Sequence, residues 1–264
     1  MQPKTENSIA IYYLYNSGFV IELGGDVLIL DYYRNRFNTE WSIPLPEHPA
    51  SYDSVTVFVS HSHRDHYNPK IFSWQNERSD IAYVLSEDIK GASEKRKNTD
   101  YVSASINYMA EGDMRSVNGH TIKAFGSTDE GISFYIQSRG VYIFHSGDLN
   151  DWHWSDESST AEISEAKERF RQELMKIKNA VQRVDIACFP VDQRMGTDYY
   201  RGAVSFCETI KPTYFIPMHF QDNYNLPKAF QDEIAPFTRL IPIRHELDRI
   251  EFIQHEPDRV ELKV

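Results

Sequence analysis

Cysteine is scarce in this sequence. The 264 residues contain two, Cys188 and Cys207, and both lie within apolar segments. They provide no disulfide framework, which is typical of a protein from a reducing compartment. No apolar run approaches the roughly 18 residues of a membrane-spanning helix. The opening MQPKTENS also lacks the basic start and apolar stretch of a secretory signal. We therefore expect a soluble, cytoplasmic protein with no membrane partner.

Positive charge is also in short supply. Lys and Arg number 28 against 39 Asp and Glu, which gives a formal net charge of -11. Nucleic-acid binding needs clustered Lys and Arg to contact phosphates. The one compact basic cluster, Lys95–Lys97, lies between Glu94 and Asp100, and we interpret it as a solvated helix end. We expect no nucleic-acid partner.

Signs of a Ser or Cys nucleophile and of a domain boundary are missing too. No G-x-S-x-G segment occurs, and neither cysteine has an adjacent base. There is no linker, low-complexity tract or repeat. A chain with 41% hydrophobic residues can bury a large core, so we expect a single domain over residues 1–264. The 16 tyrosines leave a homo-oligomer open.

The segment Val55–His66, VTVFVSHSHRDH, is the richest in chemistry. An apolar strand is followed within six positions by His61, His63, Asp65 and His66. In an extended chain His61 and His63 project from the same side and can close on one cation. Asp65 and His66 follow where the chain turns, beside a second position. Imidazole with carboxylate suits zinc, with manganese or iron as alternatives, so the sequence predicts one or two such ions rather than a solvated loop.

Periodicity and turn residues predict the other elements. The helix from Thr160 has apolar residues three or four apart, and Ser159 with Glu162 forms a capping box. Two β-rich halves, each with helices, predict two packed sheets covered by helices on both outer faces. The predicted strands are Ile9–Leu14, Phe19–Leu23, Val27–Asp31, Val55–Val59, Ile81–Leu85, Tyr101–Tyr108, Ser116–Val117, Thr121–Phe125, Ile132–Gln137, Val141–Phe144, Asp185–Phe189, Tyr214–Met218, Arg239–Ile243 and Ile250–Gln254, and the helices Pro69–Trp74, Glu87–Lys97, Thr160–Val181, Ala203–Ile210 and Lys228–Ile234.

The pattern His61-x-His63-x-Asp65-His66 after an apolar strand resembles the signature of the metallo-β-lactamase superfamily. NSGFVIELGGDVLILD resembles that family's opening hairpin, with Asp31 as its structural Asp. FHSGD resembles the strand end with the metal-bridging Asp, here Asp148, and IPMHF the one with the last His, here His219. The sequence most resembles the bacterial L-ascorbate-6-phosphate lactonase-like group of metal-dependent hydrolases. The resemblance implies an α/β fold, a four-layer αββα sandwich.

The resemblance also implies a metal-ligand set, from which one member is missing. The superfamily usually supplies a third His to the first ion after a strand that matches Thr121–Phe125. Here Gly126–Glu130 follows that strand and contains no His. One ion would be held by Asp65, His66, Asp148 and His219, and the other by His61, His63 and a share of Asp148.

Three ways to complete the first position stay open. His153, between Trp152 and Trp154, is one candidate ligand. Asp129 or Glu130 is another, and its oxygen would shift the preference toward manganese or iron. The third alternative is a single bound ion.

These residues predict a metal-dependent hydrolase. A metal-bound hydroxide would attack a small anionic ester, lactone or phosphoester, with Asp65 or Asp192 managing the proton. The alternative is a non-catalytic or sensor-like protein with one structural metal. We expect a small-molecule substrate to contact Arg194, which could instead form an ion pair with Asp192. Further predicted contacts are His145, Trp152, Arg34, Arg36 and Trp41.

Overall fold

The protein is described here by a computed structural model, which covers residues 8–33, 52–90, 105–255 and 259–263. These residues form two β-sheets, three α-helices and two 3-10 helices, Pro69–Asn76 and Gln193–Met195. The strands are β1 Ser8–Tyr15, β2 Gly18–Leu23, β3 Asp26–Leu30, β4 Ser54–Val59, β5 Ala82–Ser86, β6 Ser105–Met109, β7 Met114–Val117, β8 His120–Phe125, β9 Ser133–Ser138, β10 Val141–His145, β11 Ile186–Pro190, β12 Tyr214–Met218, β13 Arg239–Leu240, β14 Arg249–His255 and β15 Arg259–Leu262, and the helices α1 Thr160–Ala180, α2 Arg201–Ile210 and α3 Lys228–Ile234.

Each sheet is part parallel and part antiparallel. The first has the order β15-β14-β1-β2-β3-β4-β5-β6 and the second β13-β12-β11-β10-β9-β8-β7. Pairing is parallel from β3 to β6 and from β10 to β13. Strand β8 runs in the same direction as β10, because both are antiparallel to β9. The carboxyl ends of β8, β10, β11 and β12 therefore lie along one edge of the second sheet.

The main core lies between the two sheets. Phe58 of β4 faces Phe134 of β9 across it, with ring centroids 5.4 Å apart. Its neighbours Val57 and Val59 point the other way, into a cluster on the outer face of the first sheet. This alternation is why the apolar strand has no polar face: each of its sides is buried under a layer.

Helices cover the outer faces. On the second sheet, Phe170, Leu174 and Ile177 of α1 pack in a cluster with Phe189 of β11. On the first sheet, the cover among the described residues is the 3-10 helix Pro69–Asn76 and a helical turn at residues 88–90. The predicted α/β class with two facing sheets is confirmed. No helix in the described ranges is both long and apolar enough to span a bilayer.

Most predicted elements are present within a few residues of their expected bounds. The capping box of α1 forms, since Ser159 and Glu162 bond each other's backbone N–H groups. Strand β13 is shorter than predicted, and β15 was missed because Val260 is its one buried residue among charged neighbours. Residues 101–104 of one predicted strand and 91–97 of one predicted helix lie outside the described residues. That residues 1–264 form a single domain stays a prediction.

Candidate metal centre

The histidines and carboxylates of the sequence signature meet at one edge of the two sheets. The loop after β4 carries His61, His63, Asp65 and His66, and it turns tightly because the N–H groups of His66 and Tyr67 both bond the carbonyl of His63. The loops after β10 and β12 contribute two more side chains to the same edge, Asp148 and His219. Ligands commonly bind at the carboxyl ends of parallel strands, where several loops converge.

The inner position is bounded by His66, His219, Asp65 and Asp148. Asp148 Oδ1 lies 3.0 Å from His66 Nε2 and 3.4 Å from His219 Nε2. Asp65 Oδ2 lies 3.5 Å from His219 Nε2. The side chains of His66, His219 and Asp148 are 0%, 5% and 6% exposed, so these atoms are shielded from bulk solvent.

Two buried carboxylates fix the orientation of the inner histidines. Asp31 Oδ2 is 2.8 Å from His66 Nδ1, and Asp192 Oδ2 is 3.0 Å from His219 Nδ1. Because each Nδ1 faces a carboxylate that can accept its proton, the Nε2 of each ring is left facing Asp148. Neither Nε2 nor Asp148 Oδ1 has a hydrogen-bond partner. Imidazole nitrogens and carboxylate oxygens that converge in a buried site fit a cation, which would displace the proton on Nε2, so these residues fit the metal that the sequence predicts.

The outer position is bounded by His61, His63, Asp129 and Asp148. His61 Nε2 lies 3.4 Å from Asp148 Oδ2 and 3.0 Å from His63 Nδ1. Asp129 Oδ2 lies 3.9 Å from His63 Nδ1, and ligand atoms of Asp129, His63 and Asp148 all fall within 4.8 Å of one another. The side chains of His63 and Asp129 are 43% and 49% exposed. Asp148 thus turns one oxygen to each position.

Imidazoles and carboxylates in this cluster shift each other's protonation. Burial alone would raise the pKa of Asp148, yet His66 and His219 hold it well below the ordinary value. Burial alone would lower the pKa of His219, yet Asp148, Asp192 and Asp65 raise it to about 9. The same balance lowers the pKa of Asp65 and raises that of His66. Both carboxylates are therefore ionised at neutral pH, as metal ligands must be.

Comparison with known proteins agrees with this geometry. The family described as a beta-lactamase superfamily domain matches residues 10–164. The chain belongs to the beta-lactamase superfamily. No curated protein has a matching sequence. The match is to the superfamily, and the ascorbate-6-phosphate lactonase-like branch stays a prediction.

Solved structures with the same fold include metal-dependent enzymes. Igni18, a metallo hydrolase from the archaeon Ignicoccus hospitalis, has a TM-score of 0.64 at 15% identity over 94% of this chain and 100% of its own. An isothiocyanate hydrolase from Delia radicum gut bacteria has 0.52 at 11% over 91% and 98%. CmlA, a diiron β-hydroxylase from Streptomyces venezuelae, has 0.59 at 10% over 96% of this chain and 55% of its own. At such identities the likeness shows the fold.

The superfamily's missing third histidine is not replaced by His153 in this structure. Its Nδ1 lies 2.9 Å from the carbonyl oxygen of Asp151 and 3.2 Å from that residue's Oδ1. Among the described residues, no group of ligand atoms within 4.8 Å of one another includes His153. Asp151 holds the ring of His153, and Asp129 lies beside the outer position, so that His153 is a ligand stays a prediction.

Two further residues of the predicted site are held by hydrogen bonds, and their predicted roles stay predictions. Asp192 was expected to manage a proton, but both its oxygens accept from Arg194 and Oδ2 also accepts from His219. It therefore orients His219, and its pKa is lowered to about 2 despite burial. His145 was expected to contact substrate, but it is fully buried, donates from Nε2 to the carbonyl of Ser17 and accepts at Nδ1 from Gly147 N.

The other predicted substrate contacts border the site. A cavity of about 450 Å³ is lined by metal-centre residues together with Trp152 and Arg194. Trp152 Nε1 donates to the carbonyl of Asp148 at 2.6 Å, and its ring centroid lies 5.5 Å from that of His219. Arg194 forms the ion pair with Asp192 that was its alternative role. Arg34, Arg36 and Trp41 lie outside the described residues.

Sequence reasoning missed the part that the β1–β2 turn plays. Asn16 Nδ2 donates to Asp65 Oδ2 at 3.0 Å, and the carbonyl of Asn16 accepts from the N–H of His219. The Asn-Ser-Gly turn was predicted, but a turn signal does not reveal which loops it contacts.

Gly131 has φ of 72°, and a Cβ there would lie 2.1 Å from the carbonyl oxygen of Ser60. Only glycine lets this loop approach the metal-binding loop so closely.

Proposed function

We propose that this chain is a metal-dependent hydrolase that holds two neighbouring cations and cleaves a small anionic ester, lactone or phosphoester. The observation that carries the proposal is the convergence on Asp148. One of its oxygens faces His66 and His219, and the other faces His61. A buried carboxylate shared in this way is the expected bridge of a two-metal site.

The residues around the bridge have separate tasks in this proposal. Cations bound here would lower the pKa of water and polarise the substrate oxygen under attack. Asp31 and Asp192 keep the rings of His66 and His219 in the tautomer that binds metal. Asp65 is 40% exposed and lines the cavity while Asn16 fixes its Oδ2. We assign Asp65 the role of orienting the attacking water. Its lowered pKa keeps the carboxylate ionised, so it accepts a hydrogen bond from that water without retaining the water's proton.

The choice of metal follows from the outer position. We propose zinc, with manganese or iron as the alternatives that an Asp129 oxygen would favour over a third imidazole. A fold-similar protein is described as a diiron enzyme, which supports keeping iron in the test. The acidic charge supports a small-molecule substrate rather than a nucleic acid, and ring-opening of a lactone is supported by the branch resemblance alone.

A direct test pairs metal content with hydrolysis. Wild-type protein loaded with zinc, manganese or iron is offered a panel of aryl esters, lactones and phosphodiesters. We expect Asp148→Asn to lose bound metal and turnover together. The matched control Asp232→Asn removes an exposed carboxylate that pairs with Lys228 on α3, and it should keep both. One tightly held ion with no turnover on any substrate would reject the proposal in favour of a structural or sensor metal.

A further inference from the structure

We propose that Arg169 of α1 is the anion-binding residue of the cavity beside the metal centre, and that Trp152 and Trp154 form its apolar wall. The substrate class that this arrangement takes is an anion with an attached planar apolar group. The inference deepens the proposed function and rests on it for the reaction at the metal centre. It does not rest on it for binding.

Arg169 lies in the cavity wall, and its guanidinium forms no ion pair with the described residues. It is exposed, it lines the same cavity as the metal-centre residues, and its Nη2 donates to the carbonyl of Thr128 at 3.3 Å. Within the described ranges no carboxylate lies within ion-pair distance of it. A guanidinium held by one backbone carbonyl keeps most of its donors free for a carboxylate or phosphate.

Neighbouring arginines differ in this respect. Arg171, two residues further along α1, is paired with Glu168 through Nε and Nη2, both at 2.8 Å. Arg194 lines the cavity, but its Nε and Nη2 bond the buried carboxylate of Asp192. An anion that approached Arg194 would meet a charge already neutralised at close range. Among the described residues that line the cavity, Arg169 is therefore the cation that no carboxylate neutralises at close range.

The bond to Thr128 also places Arg169 next to the outer position. Thr128 belongs to the loop that carries Asp129, and its own side chain donates to the carbonyl of Asn150. Asn150 N donates back to Thr128 Oγ1 at 2.9 Å. This loop is thus fixed to the segment after β10, and Arg169 is fixed to the loop. An anionic group bound to Arg169 would therefore lie at a fixed distance from the metal centre.

The second wall of the cavity is aromatic. Trp152 is anchored by its bond to the carbonyl of Asp148, and Trp154 stacks on it with ring centroids 6.1 Å apart and planes at 21°. Trp154 is 42% exposed, one of four large apolar side chains exposed in the described part of the chain. A stacked indole pair that begins at the metal-bridging residue and ends in solvent favours a flat apolar group lying along it.

Calorimetric titration of the metal-loaded protein tests the inference without turnover. The probes are para-nitrobenzoate, para-nitrophenylphosphonate and the uncharged para-nitrobenzamide. We expect Arg169→Ala to weaken binding of the anions by about tenfold and to leave the amide unchanged. Arg169→Lys should recover part of the loss, and the matched control Arg171→Ala should bind all three probes as wild type does. The anion that loses more identifies whether carboxylate or phosphonate is preferred.

The aromatic wall has its own variant. Trp154→Ala should lower the affinity for all three probes alike, by about threefold, because the variant loses a ring contact and no charge. Equal affinity of wild type for amide and anions, anion affinity unchanged in Arg169→Ala, or an equal loss in Arg171→Ala would overturn the inference. Arg169-dependent binding without hydrolysis of any ester would reject the proposed function alone, and hydrolysis with Arg169-independent binding would reject this inference alone.

Discussion

The inner and outer positions share Asp148 and differ in what surrounds it. At the inner position the imidazoles are nearly inaccessible, 0% exposed for His66 and 5% for His219, and each is held by a buried carboxylate. At the outer position His63 and Asp129 are about half exposed, and their mutual contact is 3.9 Å. One position is held mainly by core side chains, and the other combines the buried His61 and Asp148 with the exposed His63 and Asp129.

This difference predicts that the two proposed ions bind with unequal affinity. Preorganised ligands lose little freedom when an ion binds, whereas exposed side chains must be ordered by it. We therefore expect the inner ion to be the tighter one. The outer ion should exchange with solvent more readily and should respond to single surface substitutions.

Removing an inner ligand should have the largest effect. In His66→Ala we expect loss of the inner ion and a fall in hydrolysis of about a thousandfold, because the remaining ligands cannot hold the bridge geometry. Elemental analysis and ester kinetics measure both. His255→Ala, at an exposed His paired with Glu261, is the control. Retention of two ions in His66→Ala would refute the inner assignment.

Substitution of the carboxylate behind the ligands should have the next largest effect. Asp31 holds His66 directly and reaches His61 through Ser60, whose Oγ lies 2.7 Å from Asp31 and 3.0 Å from His61 Nδ1. Asp31→Asn should weaken both ions by about 10- to 100-fold. Of the proposed metal ligands, Asp192 is hydrogen-bonded to His219, so Asp192→Asn should weaken binding of the inner ion only. Equal effects of the two variants on the outer ion, measured by competition with a chromogenic chelator, would contradict this network.

Inner-ion affinity should also depend on pH. The raised pKa of His219, about 9, means that below this pH the metal-free ring carries a proton that the cation must displace. Apparent affinity should fall as pH drops from 9, by up to about tenfold per unit for one displaced proton. Equilibrium dialysis with zinc on Asp129→Ala isolates the inner position. A flat profile between pH 9 and about 7 would show that the ring is neutral without metal.

The smallest effect is expected at His153. This ring is as buried as the inner ligands, and its Nε2 also lacks a partner, but within the described ranges it belongs to no group of converging ligand atoms. Burial alone therefore does not identify a metal ligand. The convergence of ligand atoms from several residues does. His153→Ala should leave metal content unchanged, with a change in unfolding free energy of about 1–3 kcal/mol from the lost contact with Asp151. Loss of an ion from this variant would restore His153 to the outer position.

The sequence predicted those parts of the site that depend on local spacing. His61, His63, Asp65 and His66 are close in sequence, and the strands before Asp148 and His219 are apolar enough to be recognised without a structure. The role of Asn16 was not predictable, because it depends on how the β1–β2 turn meets the loops after β4 and β12. The contact of His153 with Asp151 was not predictable either, because the position of His153 after Asp148 says nothing about the direction of its ring. Parallel pairing in both sheets likewise depends on contacts between distant segments.

The measurement that tests the central claim most directly is bound metal per chain in wild type and in Asp129→Ala, each purified without added metal or chelator. Two positions of unequal strength, with Asp129 at the outer one, predict two ions in wild type and one in the variant. Two ions in both proteins would show that Asp129 is not a ligand, and one ion in wild type would contradict the two-metal centre itself.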